Sequence, residues 1–331
     1  MYVYRNGSGT TKLHRKTAAM NLYRFIIVTI PIIHLFFTNV FADGDRADTA
    51  HLYSHVFTLV NTPEPRNFEH IDMLDSVARY IAGEFRSYGY GSVTEQTYDV
   101  KGNTCKNVIA SIGPESTEVI VIGAHYDVCG PQPGADDNAS GVAGLLECAR
   151  LLYDKRDSLR HRIEFAAYSL EEPPFFGTRF MGSYIHASSL ADNAIKVKLM
   201  ICLEMIGYFS NEKKSQSYPL GIMKPFYGSK GDYIACVSNF SSGRFAKKLD
   251  GIFNRQTTLR SIALVAPGFL TGIDFSDHRN YWGYKMKALM ITDSAFYRNR
   301  NYHTTDDTVA TLNFEKMAQV VNGTVSFVLQ L

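Results

Sequence analysis

The stretch Val119–Gly144 reads VIVIGAHYDVCGPQPGADDNASGVAG and decides the fold class of this chain. It begins with the apolar run Val119–Ile122, whose length is typical of a strand that is buried on both faces. His125 and Asp127 follow two residues apart, and a loop rich in Pro and Gly then leads to an Asp-Asp-Asn sequence and a helical pattern. Because open α/β sheets place their sites just beyond the carboxyl ends of their strands, we expect a metal site there.

Strand-like and helix-like segments alternate along the rest of the chain. Five apolar segments are predicted to be strands: Asn107–Ile112, Val119–Ile122, Arg162–Tyr168, Lys198–Leu203 and Ala288–Thr292. Apolar residues at helical spacing predict three helices, which carry Leu74, Val77, Ala78, Ile81 and Phe85; Val142, Leu145, Leu146, Ala149 and Leu152; and Met317, Val320, Val321, Val325 and Val328. This alternation predicts an α/β fold, a mostly parallel twisted sheet in a single domain with helices on both faces.

Two further regions are assigned from their composition. Residues 43–105 are interpreted as a helical entry to the domain, which ends at the Tyr-Gly-Tyr-Gly sequence of residues 88–91. Residues 209–260 are richer in Ser, Lys, Gly and Tyr, and we interpret them as loop insertions over one face of the sheet.

Composition excludes one class of partner. The 331 residues carry a net charge of +2, and 45% of them are hydrophobic, which is enough for a sizeable core. Without a domain-wide excess of basic residues to neutralise phosphates, the chain is not expected to bind nucleic acid. The five cysteines lack CxxC spacing, so a zinc ribbon or a dense disulfide framework is not expected.

The first 42 residues resemble a secretory signal peptide. They contain basic residues up to Arg24 and no acidic residue, followed by the apolar segment FIIVTIPIIHLFFTNVFA, which ends at Ala42. An uncleaved membrane anchor formed by residues 25–42 is the rival interpretation. Pro31 and the small residue at Ala42 favour cleavage, so we expect an exported protein, either secreted or periplasmic.

Each predicted strand in the middle of the sheet ends near a residue type that binds metals. The first ends near His125, the next at the pair Glu171 and Glu172, and the third at Glu204. The last is followed by Asp293, and the loop beyond it carries His303. A lone His or an acidic pair usually has a structural or solvent-facing role, but four strand ends that meet at one edge of a sheet predict a shared site.

The motifs GAHYDV, PGADDNASG, SLEEPPFFGT, CLEMIGY, ITDSAFYRN and YHTTDDT resemble those of the dizinc exopeptidase family, over roughly residues 50–330. That family includes bacterial leucyl aminopeptidases, glutamate carboxypeptidase II and the glutaminyl cyclases. The resemblance implies a zinc-dependent exopeptidase fold of the phosphorylase/hydrolase type, with residues 43–331 as the catalytic domain.

The resemblance also implies a role for each motif residue. His125 and His303 would each bind one of two Zn²⁺ ions, and Asp137 would bridge them. Glu171 would be the general base. Two further ligands would be Glu172 and Glu204, the latter at a position where aminopeptidases of the family often have Asp.

Coordination chemistry agrees with these roles. Zinc accepts His nitrogen and carboxylate oxygen, and a catalytic site keeps a position open for water. A water that bridges two such ions loses its proton near neutral pH, and Glu171 would take that proton and pass it to the departing amine. Asp127 would orient the imidazole of His125. Sites of this kind also take cobalt or manganese.

Several nearby residues have other interpretations. Asp136 is expected to stabilise its loop, and Asp293 to be structural. His278 is the chief rival of His303 as a ligand. Tyr297 or Tyr302 would be candidates to polarise the scissile carbonyl, although neither has a motif behind it.

The expected function is an exported aminopeptidase that acts on peptides. A glutaminyl cyclase with one zinc ion and a non-catalytic binding module on the same fold are alternatives from other classes. A carboxypeptidase or dipeptidase also remains open, because Arg298 and Arg300 flank the loop of His303 although no basic cluster is evident.

Overall fold

The computed structural model describes residues 46–116 and 118–331, so the predicted signal peptide lies outside the described residues. In these two ranges, eight strands belong to one sheet: β1 (Val93–Val100), β2 (Asn103–Ile112), β3 (Glu118–His125), β4 (Arg162–Tyr168), β5 (Lys196–Glu204), β6 (Tyr233–Ser238), β7 (Arg260–Val265) and β8 (Ala288–Thr292). The α-helices described there are α1 (Thr49–Val60), α2 (Ile71–Ser87), α3 (Gly141–Tyr153), α4 (Gly182–Asp192), α5 (Lys224–Tyr227), α6 (Gly243–Gln256), α7 (His278–Gly283) and α8 (Phe314–Val328). None of the described helices is long and apolar enough to cross a membrane.

The strands follow the order β1-β2-β4-β3-β5-β8-β6-β7. The four central strands β4, β3, β5 and β8 are parallel to one another, and β6 and β7, at one end of the sheet, are parallel to each other. The other pairs are antiparallel. His125 pairs with Tyr168 at the ends of β3 and β4, and Glu204 pairs with Thr292 at the ends of β5 and β8. The carboxyl ends of the central strands therefore share one edge of the sheet.

Helices cover both faces of this sheet, as predicted. Successive residues of β3 point in opposite directions, and both faces are buried: Ile120 and Ile122 pack in one apolar cluster, Val119 and Val121 in another. The first cluster includes the apolar faces of α1, α2, α3, α6 and α8, and the second those of α4 and α7. Burial on both faces explains why β3 reads as a continuous apolar run rather than an alternating one.

The predicted helices form where their apolar spacing placed them. The apolar residues predicted for the three helices are all buried, in α2, α3 and α8. Side chains also set helix starts: Asp48 accepts a hydrogen bond from the amide of Ala50 (2.7 Å) before α1, and Asn313 accepts one from the amide of Lys316 (2.9 Å) before α8. These oxygens satisfy amides that have no partner within the helix.

The five predicted strands are confirmed, but two regional interpretations are wrong in part. Residues 43–105 include strand β1, which extends the sheet by pairing with β2. Residues 209–260 contain β6, α6 and the first residue of β7, so this region is not a set of loops. β6 is buried throughout, and α6 packs four large apolar side chains on the core. A short apolar segment can form a strand where a neighbouring strand is available for pairing.

Candidate metal centre

Two imidazoles face one carboxylate at the shared edge of the sheet. Nε2 of His125 lies 3.4 Å from Oδ1 of Asp137, and Nε2 of His303 lies 3.1 Å from Oδ2 of the same carboxylate. His125 is fully buried at the end of β3, whereas the His303 side chain is 25% exposed. Asp137 therefore lies between the two rings, as expected of the bridging ligand that the family resemblance implies.

Each imidazole has a further carboxylate of its own. Oε2 of Glu204 lies 3.4 Å from Nε2 of His125, and Oε2 of Glu172 lies 3.1 Å from Nε2 of His303. The hydroxyl of Ser276 donates a 2.7 Å hydrogen bond to Oε2 of Glu204, which fixes the orientation of this longer side chain. The predicted ligands thus form two sets that share Asp137.

Asp127 connects the first imidazole to the pair of glutamates. Its Oδ1 lies 3.4 Å from Nδ1 of His125 and accepts a hydrogen bond from the amide of Glu171 (3.1 Å). Its Oδ2 accepts one from the amide of Glu172 (3.0 Å). One carboxylate therefore orients the ring at the end of β3 and the loop at the end of β4, which goes beyond the single role expected from the sequence.

The loop that carries Asp137 depends on a left-handed glycine and a buried arginine. Gly134 has φ of +59°, and a Cβ there would collide with the carbonyl oxygen of Asp137. Arg66 follows α1 in the chain, and its buried guanidinium donates hydrogen bonds to the carbonyls of Pro133 and Gly134 (both 2.5 Å). Asp307 accepts hydrogen bonds from the amides of Asp136 and Asp137 (both 3.0 Å).

The same loop is fastened to the loop that follows β5. Asn138 donates to the carbonyl of Leu203 (2.9 Å) and accepts from the amide of Met205 (3.0 Å). Oδ1 of Asp136 accepts from the amide of Gly207 (2.9 Å). These bonds hold Asp137 and Glu204 in fixed relation, and they match the loop-stabilising role expected of Asp136.

Burial and mutual repulsion raise the pKa values of the acids at this edge. Burial is the main cause for Glu171 and Glu204, whose pKa values lie above the ordinary range. Burial together with the charge of Asp137 raises the pKa of Glu172 to about 8. Carboxylates gathered in a buried place thus need positive charge to stay ionised.

The imidazoles supply part of that charge. Burial opposes protonation of His303, but its contacts with Asp137 and Glu172 outweigh burial and raise the pKa to about 10. Burial also opposes protonation of His125, and the charges of Glu204 and Glu171 again outweigh it, so that its pKa lies well above 6.5. Burial also opposes ionisation of Asp137, yet the two imidazoles lower its pKa below the usual range.

This donor set fits divalent metal ions. Nε2 of His125, Nε2 of His303 and Oε1 of Glu172 are buried without a well-formed hydrogen bond among the described residues. Ligand atoms of His125, Asp137 and Glu172 lie within 4.8 Å of one another. Imidazole nitrogens and carboxylate oxygens are zinc ligands, and metal ions would satisfy these atoms and offset the gathered negative charge.

The rival ligand and the nearby acid have other partners. His278 has a nitrogen 2.8 Å from the carbonyl of Ile273, and its ring packs edge-on against Trp282. Burial lowers the pKa of His278 to about 4. Asp293 accepts hydrogen bonds from the amides of Tyr208 and Ala295 (both 2.9 Å), in agreement with a structural role.

The two candidate tyrosines differ in position. The Tyr302 ring stacks on that of His303 at a centroid distance of 3.8 Å, and it lines the cavity of the candidate site. Tyr297 lines an adjoining cavity, and its hydroxyl lies 3.5 Å from the carbonyl of Thr271. Tyr302 is therefore the better placed of the two to contact a substrate.

Sequence reasoning gave no role to several residues that hold this centre. Asp307 lies within the quoted YHTTDDT motif, and this position is the signal that could have indicated its role. Ser276 lies two residues before His278, and only the histidine of this segment has a predicted role. Arg66 lies in a loop with no motif, and nothing in its local pattern indicates that it contacts residues 133 and 134.

An apolar cavity adjoins the candidate centre. Its cavity volume is about 80 Å³, and Glu204 and Tyr302 line both this cavity and that of the centre. Its walls come from the strands β6, β7 and β8 and from the segments around residues 216–223, 271–275 and 294–297. Among the described residues that line either cavity there is no lysine or arginine.

Solved structures share this fold. The aminopeptidase LapA of Legionella pneumophila superposes with a TM-score of 0.68 at 20% identity, covering 85% of this chain and 71% of LapA. A glutaminyl cyclase of Bacteroides thetaiotaomicron superposes with a TM-score of 0.63 at 19% identity, covering 86% of this chain and 99% of the cyclase. At such identities the likeness concerns the fold alone, and it is shared by both enzyme classes considered from the sequence.

Sequence comparison gives relatives and a family. The uncharacterized protein YfbL of Escherichia coli is 43% identical over 289 residues, which cover 85% of this chain and 88% of YfbL. Leucine aminopeptidase 1 of Coccidioides posadasii is 27% identical over 239 residues, and the match covers 68% of this chain but only 55% of that protein. The model of peptidase family M28 matches residues 107–328, which contain every predicted ligand and the predicted base, and the chain thus belongs to peptidase family M28.

Proposed function

We propose that this peptidase is a zinc-dependent aminopeptidase that removes single residues from the amino end of peptides. The observation that carries the proposal is the carboxylate of Asp137, which faces an imidazole on each side in an acid-lined cavity. Family membership and the relatives described as aminopeptidases support it. Two zinc ions are proposed because the ligands form two sets around this carboxylate.

Charge favours the amino end of a substrate over the carboxyl end. Asp137, Glu171, Glu172 and Glu204 all line the cavity of the centre, and their charge would balance that of two Zn²⁺ ions, so no excess positive charge remains there for a substrate carboxylate. A carboxypeptidase needs a cation for the substrate carboxylate. Arg298 does not offer one, because it is buried and its guanidinium is hydrogen-bonded to Gln216 (2.8 Å) and to the carbonyl of Tyr208 (3.2 Å).

The residues of the chain have distinct tasks in the proposed reaction. Zinc held by His125, Asp137, Glu172, Glu204 and His303 would lower the pKa of a water ligand and would polarise the scissile carbonyl. Glu171 accepts the proton of the attacking water and delivers it to the departing amine. Asp127 fixes the backbone of Glu171 and the ring of His125, so that base and ligand keep their relative positions. Tyr302, stacked on His303, limits the access of solvent to that side.

The apolar cavity suggests which amino-terminal residues are accepted. Its walls include Met223, Ile262, Leu264, Ile273 and Phe275, next to the cavity of the centre. Burial of a large apolar side chain there would contribute about 1.5–3 kcal/mol to binding. We therefore propose a preference for large apolar or aromatic amino-terminal residues over charged ones.

A panel of aminoacyl anilides tests the proposal. Free-amine anilides of Leu, Phe, Lys and Glu are compared with N-acetylated Leu and Phe anilides, with and without a chelator. We expect turnover of the free-amine Leu and Phe substrates that the chelator abolishes and zinc restores. Turnover of the blocked substrates alone would refute aminopeptidase activity, and cyclisation of amino-terminal Gln without cleavage would identify a cyclase.

Export is part of the proposal. Residues 1–42 have the pattern of a signal peptide, and cleavage after Ala42 would release the catalytic domain outside the cytoplasm. This proposal depends on the sequence pattern alone.

A further inference from the structure

Cys129 differs from the other four cysteines in its surroundings. All five cysteines lie in the described part of the chain, and none forms a disulfide. Cys105, Cys148, Cys202 and Cys236 are buried, whereas Cys129 is partly exposed. It stands two residues after Asp127, in the loop that leaves the end of β3. It is therefore the thiol with most access to the candidate centre and to solvent.

The Cys129 sulfur belongs to a cluster of metal-binding atoms. Its Sγ, a ring nitrogen of His303 and a carboxylate oxygen of Glu172 all lie within 4.8 Å of one another. Zinc binds thiolate sulfur at about 2.3 Å and imidazole nitrogen at about 2.0–2.1 Å, so donors on one ion lie roughly 3–4 Å apart. The 4.8 Å limit within which the three atoms lie is close to this range.

The backbone around Cys129 is held in place on both sides. The amide of Val128 donates a hydrogen bond to the carbonyl of Arg66 (3.0 Å), and Asn67 donates one to the carbonyl of Gly130 (2.7 Å). Arg66 also fixes the loop that carries Asp137. The thiol is thus presented to the second ligand set by the same residues that position the bridging carboxylate.

A second observation on Glu172 points to a ligand at this cluster. Glu172 is 4% exposed, and its Oε1 is buried without a hydrogen-bond partner among the described residues, while its Oε2 faces His303. A buried carboxylate oxygen without a partner is costly, and a cation between Glu172, His303 and Cys129 would satisfy it. Cys129 would lose its proton to solvent on binding, and its thiolate would add negative charge where the cation sits.

We propose that Cys129 is a further ligand of the metal ion held by Glu172 and His303. The inference relies on the proposed metal centre but not on the identity of the substrate. Thiolate is a soft ligand, which favours zinc and cadmium over manganese and magnesium. The two ions would then sit in unlike surroundings: nitrogen and oxygen donors around His125, and an additional sulfur donor around His303.

Cobalt spectroscopy tests this directly, without substrate. The metal-free protein is titrated with Co²⁺, and a thiolate ligand produces a sulfur-to-cobalt charge-transfer band in the near ultraviolet. We expect this band in the wild type and in Cys148→Ala, which removes a buried thiol of α3 outside the cluster. We expect its loss in Cys129→Ser, together with zinc binding at one of two sites that is weaker by about 10-fold or more.

A second measurement needs no variant. The alkylation rate of Cys129 in the wild type, followed by peptide mass spectrometry, should fall when zinc is bound and recover when a chelator removes it. If the protein binds two cobalt ions without the band, or if Cys129→Ser keeps the band, the ligand role of Cys129 is refuted and the aminopeptidase proposal stands. If the wild type binds neither cobalt nor zinc, both proposals fail.

Discussion

Glu171 and Glu172 are neighbours in the chain but face different partners. Oε2 of Glu172 lies 3.1 Å from the imidazole of His303, whereas Oε2 of Glu171 lies 3.9 Å from that of His125. Both backbone amides donate to the same carboxylate, that of Asp127. With both amides bound to one carboxylate, the two side chains face different imidazoles. This arrangement fits Glu171 as the base and Glu172 as a metal ligand.

The glutamine variants of this pair should separate the two roles. Glu171→Gln retains the size of the side chain but cannot accept a proton, so we expect two bound zinc ions and a kcat lower by about 10²–10⁴-fold. Glu172→Gln is the matched control and should lose one zinc ion. Metal content by mass spectrometry and anilide turnover are measured on both. Substantial metal loss in Glu171→Gln would show that its assignment as the base is wrong.

Residue types at strand ends could be predicted, but their supports could not. Metal-ligand types follow directly after apolar runs, and parallel strands bring their carboxyl ends together, so the grouping of His125, Glu172 and Glu204 follows from order along the chain. The ligand roles of Asp137 and His303 are implied by the resemblance to the dizinc exopeptidases. The residues that hold the loops are ordinary in type and distant in sequence. Arg66 contacts residue 134 and lies in no motif. Asp307 contacts residue 136, and its place in the YHTTDDT motif does not reveal which residue it contacts.

Among the elements, α6 and α8 illustrate packing that depends on one glycine. Gly323 lies in the buried part of α8, and a Cβ there would fall within the ring of Phe253 from α6. Phe253 is itself fully buried. The two helices therefore approach closely only because position 323 has no side chain.

Two glycine-to-alanine changes should have opposite effects on stability. Gly323→Ala gains about 1 kcal/mol of helix propensity but forces Phe253 out of place at a cost of about 1–3 kcal/mol, so we expect a lower free energy of unfolding. Gly83→Ala in α2 meets nothing within 4 Å, so we expect only the propensity gain. Urea unfolding of both variants measures the difference. A more stable Gly323→Ala protein would contradict this account of the helix contact.

The central strands of the sheet are easier to predict from the sequence than the strands near its two ends. β3, β4, β5 and β8 are buried runs between loops of distinct composition. β6 lies in a region rich in Ser and Lys, and in β1 only Val100 is buried. Such strands depend on the neighbours that they pair with, and those neighbours are not visible in a local window.

For the whole molecule, the proposed ions should contribute to stability. Buried carboxylates repel one another without them, and an ion that binds only the folded state stabilises it by about 2.7 kcal/mol when its concentration is 100 times its Kd. We expect added zinc to raise the melting temperature of chelator-treated protein by about 5 °C or more. Scanning calorimetry measures the shift, and Asp137→Asn, which weakens both sites, should respond much less. An equal response in this variant would place the stabilising ions elsewhere.

The division into a leader and a catalytic domain stays a prediction. The family match begins at residue 107 and the described residues begin at 46, so neither bears on residues 1–42. The sequence pattern of a basic start, an apolar segment and a small residue before Asp43 remains the basis for expecting export.

The hydrogen bond that Asp307 accepts from the amide of Asp137 joins positions 170 residues apart, and His303 lies in the same late segment. During synthesis, about nine tenths of residues 43–331 emerge before Asp307 can make this contact. A nascent or truncated chain would hold the early histidine and acids without the residues that complete the second half of the centre. The proposed metal centre would thus be complete only after residues 303–307 have been made and have folded against the loop of Asp137.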